Sequence, residues 1–196
     1  MHTDISAQIN IKIGYEGDYF ISSVNNEITN SFNAERSYLD DGKPLRPLHY
    51  MNGITLGLNY KVGGANIGLS WHSLISGKEA FGEIPASQGQ PAQFFSTNLN
   101  YALRGIQLEY FYELDRIGTG LTMAADQFRV KTDIEPSPGD EQKFIMRKSL
   151  ITSTFFLSFR LSNSDKYALY LRPHYKLFLQ ALNQAPLQEF LQVEEA

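Results

Sequence analysis

The stretch MNGITLGLNYKVGGANIGLSW, residues 51–71, decides how the rest of the chain is read. Ile54, Leu56, Leu58 and Tyr60 alternate with Thr55, Gly57 and Asn59. After Gly63-Gly64, Ile67, Leu69 and Trp71 alternate with Asn66, Gly68 and Ser70. A period of two, broken by a glycine pair and then resumed, predicts an antiparallel hairpin. Each arm is longer than the usual strand of about 5–6 residues. It matches the roughly 9–11 residues that a tilted strand needs to cross a bilayer.

Outward from the hairpin, the same patterning predicts a run of strands. Strand one starts near Gln8, with Ile9, Ile11, Ile13 and Tyr15 on one face and Lys12 on the other. The hairpin supplies strands two and three. Strand four carries Phe95, Thr97, Leu99, Tyr101 and Leu103 against Ser96, Asn98 and Asn100, and Arg104-Gly105 reads as a tight turn. Strand five sets Ile106, Leu108, Tyr110, Tyr112 and Leu114 against Gln107, Glu109, Phe111, Glu113 and Asp115. Strand six spans 119–132, and its loss of phase near Ala124-Ala125 predicts a bulge. Strand seven carries Ile151, Phe155, Leu157, Phe159 and Leu161, and strand eight Tyr167, Leu169, Leu171 and Tyr175. Residues 26–50, 76–92 and 135–143 are rich in polar residues, Gly and Pro and read as loops. Residues 179–196 read as a tail with room for a short helix. The expectation is one domain over 1–196 with about eight strands; the alternative makes 116–145 a loop and leaves seven.

Composition narrows the class. The chain has 196 residues, no cysteine and a formal net charge of −4, which offers neither thiolate metal ligands nor a basic footprint for nucleic acid. It has no apolar run of about 20 residues, so no helix is expected to span a membrane. A mean hydropathy of −0.28 is compatible with a membrane barrel, because half of each strand faces a polar interior. Alternation alone fits a soluble barrel as well, so the polar face decides. Gly57, Asn59, Asn66, Gly68, Ser70, Ser96, Asn98 and Asn100 are small and uncharged, which suits a crowded lumen better than open water. Tyr60, Tyr101 and Tyr167 would form one aromatic girdle, and Trp71, Phe95, Tyr112 and Tyr175 the other. The start, Met1-His2-Thr3-Asp4, lacks a basic and apolar leader, so an exported protein is expected to have lost its leader from this sequence.

Gly53-Ile54-Thr55-Leu56-Gly57-Leu58-Asn59-Tyr60, the glycine turn after it, and Tyr170-Leu171-Arg172-Pro173-His174-Tyr175 resemble the small outer-membrane β-barrel proteins of Bacteroidota-type bacteria. The resemblance implies an all-β, antiparallel up-and-down transmembrane β-barrel in the bacterial outer membrane. It implies a scaffold rather than one activity, with no catalytic residue and no cofactor to carry over. Such barrels commonly close on a glycine- and aromatic-rich strand, a character that residues 187–196 do not have.

Charges on the lumen face are the most informative constellation. Glu109, Glu113 and Asp115 lie on strand five, Arg160, Arg172, His174 and Lys176 on strands seven and eight, and Lys12 on strand one. In a closed barrel these would meet through the interior as a salt-bridged plug, because buried charges must pair. A narrow ion or proton path is the sharper alternative. His72-Ser73 is the one pairing suggestive of a barrel hydrolase or acyltransferase acting on lipid. Neighbours on a strand point to opposite faces, which works against it. Asp126, Asp133, Glu135, Asp140 and Glu141 read as a solvated acidic loop without calcium-site spacing. No metal site is expected. The leading expectation is a structural or interaction protein, surrounded by lipid and partnered by other envelope proteins through its loops at 26–50 and 76–92. The alternative is a soluble lipocalin-like carrier of an apolar ligand, which would turn Leu56, Leu69, Leu108 and Leu157 inward.

Overall fold

The computed structural model describes residues 7–19, 23–34, 42–84, 86, 91–132, 143–162, 164 and 167–179. Its strands are β1 (Ala7–Tyr19), β2 (Tyr50–Val62), β3 (Ala65–Ile84), β4 (Gln93–Leu114), β5 (Ile117–Thr132), β6 (Lys143–Arg160), β7 (Tyr170–Leu171) and β8 (His174–Phe178), with one helix, α1 (Ser23–Ala34), after β1. Every paired strand is antiparallel to its neighbour, and β1 to β6 follow one another in chain order. The sheet curls into a half-barrel. β7 and β8 pair with β6 in one register and are two pieces of a single strand. Pro173 between them has no N–H to give the ladder, although its carbonyl still accepts from the Leu157 amide at 3.1 Å.

The division into strands differs from the sequence expectation. Strands four and five are one strand, the 22-residue β4. Gly105 is not a turn but a ladder position, paired with His72 on one side and Asp126 on the other. Nor is there a bulge at Ala124-Ala125, where pairing is continuous; the register shifts between Val130 and Lys131. β5 occupies most of the span that the seven-strand alternative made a loop. The loop expected over 76–92 is strand as far as Ile84, and the loop expected over 26–50 begins with α1. The loop expected over 135–143, except Lys143, and the tail beyond Leu179 lie outside the described residues.

One feature accounts for both misplaced breaks. Along β4 the polarity of the two faces inverts. From Ile106 to Leu114 the convex face carries Ile106, Leu108, Tyr110, Tyr112 and Leu114, all exposed, while Gln107, Glu109 and Glu113 are buried on the concave face. Above Gly105 the order is reversed. Leu99, Tyr101 and Leu103 are buried inside, and Arg104, Asn100, Asn98 and Ser96 lie on the outside. β5 inverts at the same level, with Met123 outside below Asp126, and Phe128 and Val130 inside above it. Tyr101 therefore belongs to a core and not to an aromatic girdle. Ser96, Asn98 and Asn100 do not line a lumen. Tyr112 sits beside the short β4–β5 turn, at the same end as Tyr60, rather than at the opposite rim.

The two halves are held differently. At the upper end Leu45, Leu48, Met51, Leu74, Leu99, Leu103, Phe128, Val130, Met146 and Leu150 form an apolar core on the concave side. Segment 42–48 covers it. Lys43 and Phe81 exchange backbone hydrogen bonds of 2.7 and 2.9 Å. The Asn33 side chain of α1 donates to the Leu45 carbonyl at 2.8 Å and accepts from the Leu45 amide at 2.9 Å. At the lower end, where the short turns lie, the concave side carries charged and polar side chains around the buried Phe111 and Phe156.

Candidate functional site

Alternation on β1, β3, β4, β5 and β8 brings charged side chains to the concave side of the lower half, where they form two clusters. In the first, Glu109 accepts from Lys12 at 2.5 Å and from Arg172 at 2.9 Å. The Arg172 guanidinium stacks 4.5 Å from the Phe111 ring and 4.9 Å from the Phe156 ring, so its charge also meets aromatic faces. Its Nε donates to Ser158 Oγ at 3.3 Å. Close by, Glu113 pairs with Lys61 at 3.5 Å and Arg160 at 4.0 Å, and accepts from the Tyr170 hydroxyl at 3.3 Å. Gly120 makes room for this arrangement: a Cβ there would lie 2.4 Å from Phe156 Cζ and 2.5 Å from Phe111 Cβ.

The second cluster lies at the level where polarity inverts. His72, fully buried, donates from Nε2 to Asp126 Oδ1 at 2.7 Å, and Thr152 Oγ1 donates to Asp126 Oδ2 at 2.8 Å. β4 runs between those two side chains, and Gly105 is what lets them meet across it. A Cβ at Gly105 would lie 2.0 Å from Asp126 Oδ1. His72 Nδ1 faces Glu16 at 3.6 Å. Glu16 accepts from Lys176 at 2.9 Å and from the Thr55 hydroxyl at 3.1 Å. Asp18 accepts from Lys176 and from His174 Nε2, the latter at 2.7 Å. Glu16, Asp18 and His174 bring ligand atoms within 4.8 Å of one another, but the Lys176 ammonium already stands between the two carboxylates.

Of the residues singled out from sequence, Lys12, Glu109 and Arg172 meet, Glu113 meets Arg160, and His174 and Lys176 converge on β1. Asp115 does not join them. It is an exposed turn residue with φ of 55°. Sequence reasoning missed Glu16, Asp18 and Lys61, and it gave His72 and Asp126 other roles, His72 beside Ser73 and Asp126 in an acidic loop. Glu16 and Asp18 share the alternation phase of Lys12, a signal that was there to use. Asp126 is not part of an acidic loop; the other members of that expected group, Asp133, Glu135, Asp140 and Glu141, lie outside the described residues. Ser73 points away from His72, to the opposite face of β3, so the two form no nucleophile–base pair.

The arrangement defines a class: a curled antiparallel sheet with ion pairs on its concave face and aliphatic side chains on its convex one. Comparison with family models, with curated proteins and with solved structures returns no match for this chain.

Proposed function

We propose that this chain is a bacterial outer-membrane β-barrel protein with a side-chain-filled lumen, serving as a structural or interaction component of the envelope. The observation that carries this reading is the bounded apolar band on the convex face. Leu108 is 57% exposed while its neighbour Glu109 is 2% exposed, the reverse of a water-soluble sheet. Ile9, Ile11, Ile13, Ile54, Leu56, Leu58, Leu69, Trp71, Ile106, Phe155 and Leu157 extend the band around the sheet. On β4 it covers the nine positions from Ile106 to Leu114. Nine residues rise about 30 Å along a strand and about 23 Å along a barrel axis at a tilt of about 40°, close to the apolar band of about 25 Å on known membrane barrels. Beyond that height on β4 and β5 the convex face carries Arg104, Asn100, Asn98, Ser96, Arg129 and Lys131 and the concave face is apolar, while Phe81 and Phe94 stay exposed higher on the convex side.

The filled lumen supports a scaffold over a pore. Interiors of small barrels have room for side chains alone, and Arg172, Phe111, Phe156 and Tyr170 already pack against one another on the concave face of the half-barrel. The upper extension, with α1 and segment 42–48 folded against it, is the surface offered to an envelope partner. Leu56, Leu69, Leu108 and Leu157 all lie on the convex side, so they build no cavity of the kind that an apolar-ligand carrier needs.

Fractionation of expressing cells tests the proposal. The expected result is that the chain sediments with membranes, resists carbonate and urea washes, and is released by detergent. Recovery of a folded chain in the soluble fraction would overturn it.

A further inference from the structure

Just above the apolar band, the convex face carries a group of cations that the lumen network does not use. Arg104 lies on β4, Arg129 and Lys131 on β5, and Arg147 on β6. Arg129 and Arg147 are direct cross-strand partners, and Arg104 is diagonal to Arg129. Like charges set directly opposite one another on a sheet are destabilising. Among the described residues, no carboxylate forms an ion pair with Arg104, Arg129 or Arg147; Arg129 Nε donates to the neutral Gln127 side chain at 2.5 Å. A cavity of about 280 Å³ lies here, lined by Arg104, Arg129, Lys131, Asn100 and Ser76 and by Ile75, an exposed apolar residue on the convex side of β3. Among the described residues, no acidic one lines it.

We propose that this cavity binds the phosphate of an anionic lipid headgroup whose acyl chains lie along the apolar band. The inference rests on the membrane reading, because it is the band that sets the cations at headgroup height. Three features support it. Guanidinium forks match phosphate oxygens two at a time. The anion would offset the repulsion between Arg129 and Arg147. Ile75, on the same rung as Ala102, Arg129 and Arg147, gives the cavity an apolar wall against which the start of an acyl chain would lie. A free phosphate ion would use the same forks but would gain nothing from the band below.

The test uses the full chain folded in an uncharged detergent. Its probes are dihexanoyl phosphatidic acid, dihexanoyl phosphatidylcholine and inorganic phosphate, with binding read by calorimetry or native mass spectrometry. Expected is at least tenfold tighter binding of the phosphatidic acid than of either other probe. That preference should be lost in the triple variant Arg104→Gln/Arg129→Gln/Arg147→Gln and reduced in Arg104→Gln alone, because Arg104 lines the cavity. All three arginines are on the outer face, and retained heat-modifiable migration on gels checks that each variant is folded. Should the triple variant fail to fold, the single variant decides. Equal binding of the two lipids, or a preference that survives the arginine replacements, overturns the proposal. Equal binding of inorganic phosphate overturns the lipid assignment. Because binding is read in detergent, a chain that fractionates with membranes yet shows no preference sinks this inference alone. A chain found soluble sinks the membrane reading first.

Discussion

Replacing Glu109 with Gln probes the concave-face network at a buried carboxylate held by two cations. The amide keeps the size and removes the charge, leaving the Lys12 ammonium and the Arg172 guanidinium without their carboxylate. Hydrogen bonds to charged groups contribute about 1.5–3 kcal/mol each, and Glu109 makes two of them. The side chains of Lys12 and Arg172 keep 18% and 19% of their exposure, so water relieves part of the loss. The low end of the range is the better figure, which gives a cost of about 3 kcal/mol, the bottom of the span for breaking a buried pair. Arg172 retains its aromatic neighbours in either state, so Lys12 should show the cleaner coupling. A double-mutant cycle of Glu109→Gln with Lys12→Met should return an interaction of about 1–2 kcal/mol. Urea unfolding in lipid vesicles, followed by the emission of Trp71, the single tryptophan, measures both quantities. A cost below about 1 kcal/mol together with no coupling would refute the reasoning that the concave side of the sheet is held by charge.

Four further outcomes are expected. Leu108→Arg, in the middle of the convex apolar band, should cost about 2–4 kcal/mol in vesicles, whereas Ser96→Arg, above it, should cost under about 0.5 kcal/mol; equal tolerance in the same unfolding assay would contradict the assigned height of the band. Gly120→Ala should destabilise by about 1–3 kcal/mol through overpacking against Phe111 and Phe156, seen as a lower urea midpoint. Asp115→Gly should be neutral or stabilise by up to about 1 kcal/mol, because a residue with φ of 55° favours glycine. Asn33→Ala should remove both bonds to Leu45, so limited proteolysis within 42–48 should speed up at least severalfold while the strands stay intact.

Much of the fold was legible in the chain because a strand advertises its faces at every second residue. The hairpin at 51–71, the strand from Gln8 and the alternation of 106–114 all follow from that period, and no tertiary information was needed to find them. The same period misled at Arg104-Gly105 and at Ala124-Ala125. There the apolar residues change phase, and a phase change in sequence has two physical causes: a break in the strand, or an exchange of the environments on its two faces. Glycine at the switch pointed to the first cause, whereas Gly105 is there to let His72 and Asp126 approach across β4. Helix α1 was missed although Val24, Ile28 and Phe32 recur at every fourth residue, because the Asn, Ser and Thr residues between them favoured a loop reading.

The sequence by itself determined that the chain is antiparallel β, that one side of its strands is aliphatic, and that Lys12, Glu109 and Arg172 share the other. Those properties are local, since they depend on alternation along single strands. Only the tertiary structure decided which carboxylate meets which cation, that Glu16 and Asp18 of β1 reach Lys176 of β8, and that the sheet is turned inside out above Gly105. Curvature sets those distances, and curvature belongs to the sheet as a whole.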